Sequence, residues 1–170
     1  MQRMVRVALL AALGLGLFAS AEPASARVQI AFDNAEYEYG TIVISTSQRR
    51  LYYTLGNGQA IEYKIAVGKP HEQWFGETFV SRKAKWPRWT PTRNMRRKNP
   101  RLPKYVKGGP RNPLGARALY LGWSALRIHG TNNPGSIGRA ASSGCYRMHN
   151  ADVKHLYERV HVGAPVVVLQ

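Results

Sequence analysis

Cysteine is nearly absent from this chain. Cys145 is the only one in 170 residues, so no intramolecular disulfide can form. A lone thiol has three readings: it is buried and inert, it pairs between chains, or it does chemistry. Acidic residues are also scarce. The chain has nine against 25 Lys and Arg, and none falls between Glu77 and Asp152, an interval with sixteen Lys and Arg. A catalytic group inside that interval therefore has no local carboxylate, only Asp152 or an acid from elsewhere. Long apolar runs are missing after the N-terminal segment. The single run, Val7 to Phe18, is shorter than the roughly 20 apolar residues that span a bilayer. Internal repeats and low-complexity tracts are lacking too.

That first segment has Arg3 and Arg6, then the apolar run, then small residues ending Ala24-Ser25-Ala26. This is the three-part pattern of an export signal, with cleavage expected after Ala26. A membrane anchor is the alternative. No cysteine near the cleavage point offers a lipid attachment site. The expected division is residues 1–26 as signal peptide, 27–40 as a weakly structured acidic leader, and 41–170 as one domain. The mature chain, about 144 residues, is long enough for a hydrophobic core without disulfides.

The net charge of +16 attracts polyanions or acidic substrates. Nucleic acid, an anionic wall polymer and a lipid surface all fit, and export favours the envelope. A generally basic solvated surface is the bland reading. Nucleic acid is demoted by the export signal and by the lack of a recognisable motif.

Alternation in "LYYTL" and "IEYKIAV" puts Leu51, Tyr53 and Leu55, and Ile61, Tyr63, Ile65 and Val67, on single strand faces. Gly56-Asn57-Gly58 between them predicts a hairpin turn. Six prolines interrupt residues 81 to 115, leaving a long basic loop with Trp86 and Trp89 in it and Trp74 close by. A short helix is expected there, begun at Thr92 and stopped before Pro100. The loop is either a substrate-facing lid or a run whose tryptophans are core. "ALYLGW", "LRIHG" and "APVVVLQ" read as strands. "NADVKHLYERV" reads as a helix capped by Asn150, with Val153, Leu156, Tyr157 and Val160 on one face. A β-rich single domain with one amphipathic helix after the cysteine accommodates all of this.

Cys145 just before that helix, and His129 ending a strand, are connected by a Gly- and Ser-rich segment that can fold back. A Cys–His pair makes a nucleophile for acyl transfer. Ser143-Gly144-Cys145 offers consecutive backbone N–H groups to an oxyanion. Arg147 and Arg139 are candidates for binding a substrate carboxylate. The Gly130 carbonyl is a candidate to orient His129. By spacing alone, a buried thiol and a satisfied core histidine remain the generic alternative.

The ordered pieces "IHGT", "SSGCYRMHNADVKHLYERVHVGAPVVV", "NPLGARALYLG" and "IVISTSQRRLYYTL" together resemble the L,D-transpeptidase catalytic domain of YkuD type, over residues 40 to 170. The resemblance implies a mainly β fold, a single-domain mixed β-sandwich. It implies Cys145 as acylated nucleophile, His129 as base and Gly130 as its orienter. It also implies that Ser143, Gly144 and Cys145 form the oxyanion turn and that Arg147 lies in the substrate cleft. Many relatives have histidine where this chain has Ser143. The implied substrate is a peptidoglycan stem peptide, attacked before its terminal D-alanine. The acceptor is a second stem, the lysine of an envelope protein, or water. The location implied is the periplasm, with no metal, no organic cofactor, no stable membrane span and no nucleic acid. A monomer is expected. A non-catalytic wall-binding module and a cysteine peptidase of wall peptides are the rival readings.

Overall fold

The computed structural model describes residues 27–33 and 36–170. The expected export signal, residues 1–26, lies outside the described residues.

Most of the regular structure is strand. β1 (Val28–Ala31), β2 (Ile42–Ser45), β3 (Arg50–Gly56) and β4 (Gln59–Lys64) are followed by β5 (Val67–Gly68) and β6 (Gly76–Lys85). A short helix α1 (Arg93–Lys98) precedes β7 (Arg117–Leu121), β8 (Arg127–His129), β9 (Ala140–Ser142) and β10 (Tyr146–Arg147). Helix α2 (Asn150–Arg159) and β11 (Pro165–Leu169) close the chain. Nine strands form one sheet in the order β1-β4-β3-β2-β11-β6-β7-β8-β10, and β5 pairs separately with β9. The sheet is mixed: β2–β11 and β8–β10 are parallel, the other pairs antiparallel.

β6 serves both halves of the sheet. Gly76–Phe79 pair with β11, Val80–Lys85 pair with β7, and the register breaks between Val80 and Arg82. One core fills the space between the halves. Ile42, Ile44, Leu51, Tyr53, Tyr63 and Val67 from one side meet Val80, Leu119, Leu121 and Ile128 from the other, and α2 adds Val153 and Leu156. Each fully buried aliphatic side chain contributes about 1.5–3 kcal/mol. The alternation read from "LYYTL" and "IEYKIAV" is this core face. The hairpin turns on Asn57 and Gly58, both at positive φ, between the paired Gly56 and Gln59.

Residues 27–33 depart from the expected weakly structured leader. Val28–Ala31 pairs antiparallel with Gln59–Glu62 as an edge strand. Ile30 and Phe32, with Tyr37, pack on Val43, Tyr52 and Ala60 on the outer face of the sheet. These apolar side chains order the segment because that outer face of the sheet is itself apolar and needs cover.

The basic segment holds its short helix as expected. Thr92 Oγ1 accepts from Met95 N at 3.2 Å, and the helix ends at Asn99, ahead of Pro100. The rest is an ordered loop. Asn112 is buried and donates from Nδ2 to the carbonyls of Pro87, Val106 and Lys107. Its Oδ1 accepts from Leu114 N. One side chain thus ties both ends of the loop together.

Asn150 corrects a second expectation. It is the first residue of α2, not its cap, and the capping position is His149, whose side chain makes no capping bond. Asn150 Oδ1 instead accepts from Ala116 N at 2.9 Å and Thr131 N at 3.3 Å, while Nδ2 donates to Thr131 O at 2.9 Å.

Candidate active site

β8 and β10 run side by side, with Ile128 opposite Tyr146 and His129 opposite Arg147. Ile128 and Tyr146 turn into the core. Side chains alternate along a strand. Arg127, His129, Cys145 and Arg147 therefore share the other face, and all four line one cleft of about 340 Å³. Extending the register one residue sets Cys145 level with Arg127. The parallel pairing thus carries His129 and Cys145, sixteen positions apart, to diagonal places on neighbouring strands.

The basic loop forms the facing wall of the cleft with Trp89, Thr90, Thr92, Met95, Pro113 and Leu114. The turn between β7 and β8 adds Ala125 and Leu126. No Asp or Glu lines the cleft among the described residues. Asp152 is buried and pairs with Arg27 at 3.4 Å.

Cys145 is a partly exposed free thiol, with Sγ 3.7 Å from the Ala125 carbonyl. The turn before it is organised by Ser142. Its Oγ donates to Cys145 O at 2.5 Å and accepts from Gly144 N at 3.2 Å. The Gly144 amide is thus engaged inside the turn and does not stand free as an oxyanion donor. Gly144 is fixed by space as well as conformation: its φ is +108°, and a Cβ there would lie 3.0 Å from Glu72 O. Ser143 is exposed and lines the cleft.

His129 is 4% exposed, and its Nδ1 meets Gly130 O at 2.5 Å. A carbonyl only accepts, so Nδ1 carries the proton and Nε2 keeps its lone pair. Burial is the largest cause pushing the imidazole down to about 4, and the Arg147 and Arg127 guanidiniums push the same way. The bond to Gly130 opposes them. The histidine is therefore a neutral base near neutral pH. A Cβ at Gly130 would lie 2.2 Å from Asn150 Oδ1, so glycine is what lets the Asn150 amide reach the backbone at Thr131.

The cleft brings together Cys145, His129, Ser143 and Arg147, with Gly130 and Gly144 directly behind them. Arg139 stays outside. Its side chain is exposed and absent from the lining, and among the described residues only its backbone bonds, accepting from Val67 N and donating to Ser136 O. The second arginine in the cleft beside Arg147 is Arg127. The period of two along "RIH" puts Arg127 on the face of His129, a signal present in the sequence. Ser142 and Asn150 were the other residues missed.

A β fold bent around one core holds a thiol, a neutral imidazole and guanidiniums in one cleft, the groups that cysteine-dependent acyl transfer uses. Residues 39–168 match the family model of the L,D-transpeptidase catalytic domain, YkuD, and the chain belongs to that family. It is 38% identical over 137 residues to the probable L,D-transpeptidase ErfK/SrfK of Escherichia coli K12, which covers 75% of this chain and 43% of that protein. The chain thus spans less than half the length of that curated relative. A Brucella melitensis structure named as a probable carnitine operon oxidoreductase, caia, is 43% identical, with a TM-score of 0.58. It covers 88% of this chain and 97% of that one. The catalytic domain of the E. faecium L,D-transpeptidase shares the fold, with a TM-score of 0.60 at 21% identity, over 79% of this chain and 99% of that one. Among the described residues no helix is long and apolar enough to cross a membrane.

Proposed function

We propose that the protein is an L,D-transpeptidase acting on peptidoglycan stem peptides, with Cys145 as nucleophile and His129 as base. The observation that carries this reading is the shared cleft face of the two residues, with Gly130 O accepting from His129 Nδ1. His129 Nε2 takes the thiol proton. The Cys145 thiolate attacks the carbonyl between the third-position diamino acid and the terminal D-alanine. The negative oxygen is held by amides of the Ser143–Cys145 turn, chiefly that of Cys145, because Gly144 N already bonds Ser142 Oγ. The imidazolium returns the proton to the departing amine, D-alanine leaves, and a thioester remains on Cys145. An acceptor amine then attacks, gives its proton to His129, and releases Cys145. The acceptor is a second stem's diamino acid or the lysine of an envelope protein, and water would give carboxypeptidase action. Arg147 holds a substrate carboxylate. The N-terminal segment supports export to the periplasm.

The test is mass spectrometry of the purified protein with tetrapeptide muropeptides, beside Cys145→Ala. D-Alanine loss with a new cross-linked dimer, absent in the variant, is expected. Loss of D-alanine without a dimer would mean hydrolysis, or a protein acceptor that must be added. Absence of turnover, with no carbapenem adduct on Cys145, would leave the wall-binding module as the reading.

A further inference from the structure

Arg127 has no role in the scheme above, yet it occupies the cleft beside the nucleophile. Four neighbouring strands align there. Arg82 on β6 pairs with Tyr120 on β7, Tyr120 pairs with Arg127 on β8, and Cys145 stands level with Arg127 by the register of β10. The Tyr120 ring is flanked by two guanidiniums, with Arg82 Cζ 3.6 Å and Arg127 Cζ 5.1 Å from its centroid. Arg127 Nη1 donates to Ala125 O at 2.9 Å, the same carbonyl that Cys145 Sγ faces. Its Nε is buried and meets no acceptor. Neither Arg127 nor Arg147 is in an ion pair among the described residues. Two cations in a cleft without carboxylates repel each other and lack a counter-ion among the described residues. The chemistry that resolves both is a ligand carboxylate, which guanidinium binds through paired, charge-assisted hydrogen bonds.

We propose that Arg127, together with Arg147, forms a carboxylate receptor beside Cys145 that selects donors carrying a free carboxylate next to the scissile bond. The proposal rests on the transpeptidase reading. Two carboxylates of a tetrapeptide stem meet the description: that of the terminal D-alanine and that on the side chain of the diamino acid. Arg127 lies level with the nucleophile and Arg147 level with the base, so the receptor brackets the reacting carbonyl. Stacking on Tyr120 holds the Arg127 guanidinium before substrate arrives, which reduces the ordering cost of binding.

The test compares wild type and Arg127→Gln on three synthetic tetrapeptide donors: unmodified, amidated at the terminal D-alanine, and amidated at the diamino acid side chain. A charge-assisted hydrogen bond is worth about 1.5–3 kcal/mol. R127Q is therefore expected to lower kcat/KM on the unmodified donor by roughly ten- to a hundredfold. On whichever amidated donor has lost the partner, the penalty of R127Q shrinks to within about twofold of wild type on that donor. That donor identifies the carboxylate. An equal penalty on all three donors would overturn the proposal, because Arg127 would then act only through the Ala125 turn. Calorimetric binding of the three peptides to Cys145→Ala and to the R127Q/C145A double variant reads the receptor without any turnover. Failure of the transpeptidase reading leaves that pattern in binding intact. Failure of the receptor removes it while turnover persists.

Discussion

Arg147 stands directly across from His129 in the parallel register of β8 and β10. Burial first, and then the facing guanidinium, disfavour a proton on the imidazole, which stays neutral. A histidine in an unfolded chain titrates near 6.5, whereas His129 in the folded protein is pushed down to about 4. As pH falls through 6.5, the unfolded chain takes up a proton that the folded protein refuses. Stability is therefore full above about 6.5, declines toward 4 and levels off below it. The gap corresponds to roughly 3 kcal/mol. His155 is shifted in the same direction by burial, so its contribution must be separated. Urea unfolding of wild type and His129→Gln between pH 4 and 7 does this. The variant is expected to lose most of the slope and all of the turnover. An unchanged slope would mean that His129 is not held neutral.

The Asn150 amide sits against the Gly130–Thr131 backbone, whose carbonyl holds His129. Asn150→Ala would leave Ala116 N–H, Thr131 N–H and Thr131 O without their partner, at about 1–3 kcal/mol for each buried group. Unfolding by urea should report a loss of several kcal/mol in total, before relaxation or water replaces some bonds. Gly130→Ala should be as damaging from the opposite side, because its Cβ would lie 2.2 Å from Asn150 Oδ1. Both variants should lose kcat more than they raise KM, since they displace the group that aims the base. A change in KM alone would detach Asn150 from His129.

Arg139 and Arg127 give opposite predictions although both are arginines close to the site in sequence. Arg139 is exposed and outside the cleft. Arg139→Ala should leave stability within about 0.5 kcal/mol of wild type, as for an ordinary surface substitution. Steady-state kinetics should show kcat/KM unchanged on stem peptides. A large loss would mean that the segment after β8 moves onto the substrate.

The contrast between these two arginines shows which parts of the site were legible in the sequence. Local periodicity was. The core faces around Tyr53 and Tyr63, the Asn57-Gly58 turn, the Thr92 start of α1 and the apolar stripe of α2 all follow from spacing of two or 3.6 and from capping chemistry. Cys145, His129 and Gly130 stood out through the ordered motif. Long-range pairing was not legible. β2 joins β11, and β8 joins β10, only through parallel contacts between separated segments. Which arginine faces the cleft depends on that pairing. The sequence around Asn150 predicts a cap because capping is local, while its actual partners, Ala116 and Thr131, are distant in the chain. The edge strand at Val28 was hidden because its apolar residues matter only once Val43 and Tyr52 present a face to cover.

The charge distribution yields the last prediction. No acid occurs from residue 78 to 151, and the same stretch supplies every residue that lines the cleft among the described residues. A carboxylate-rich donor approaching such a surface is steered by the summed field, not by one contact. Salt shortens that field's reach from about 10 Å at 0.1 M to about 3 Å at 1 M. kcat/KM on stem peptides should therefore fall by about tenfold between roughly 0.05 and 0.5 M salt. kcat should hold steady, because the partly buried Arg147 beside His129 is screened far less than exposed charges. Donors amidated at both carboxylates should show a nearly flat profile in the same titration. If kcat fell together with kcat/KM, salt would be acting on the site itself, and steering would not be the role of the basic surface.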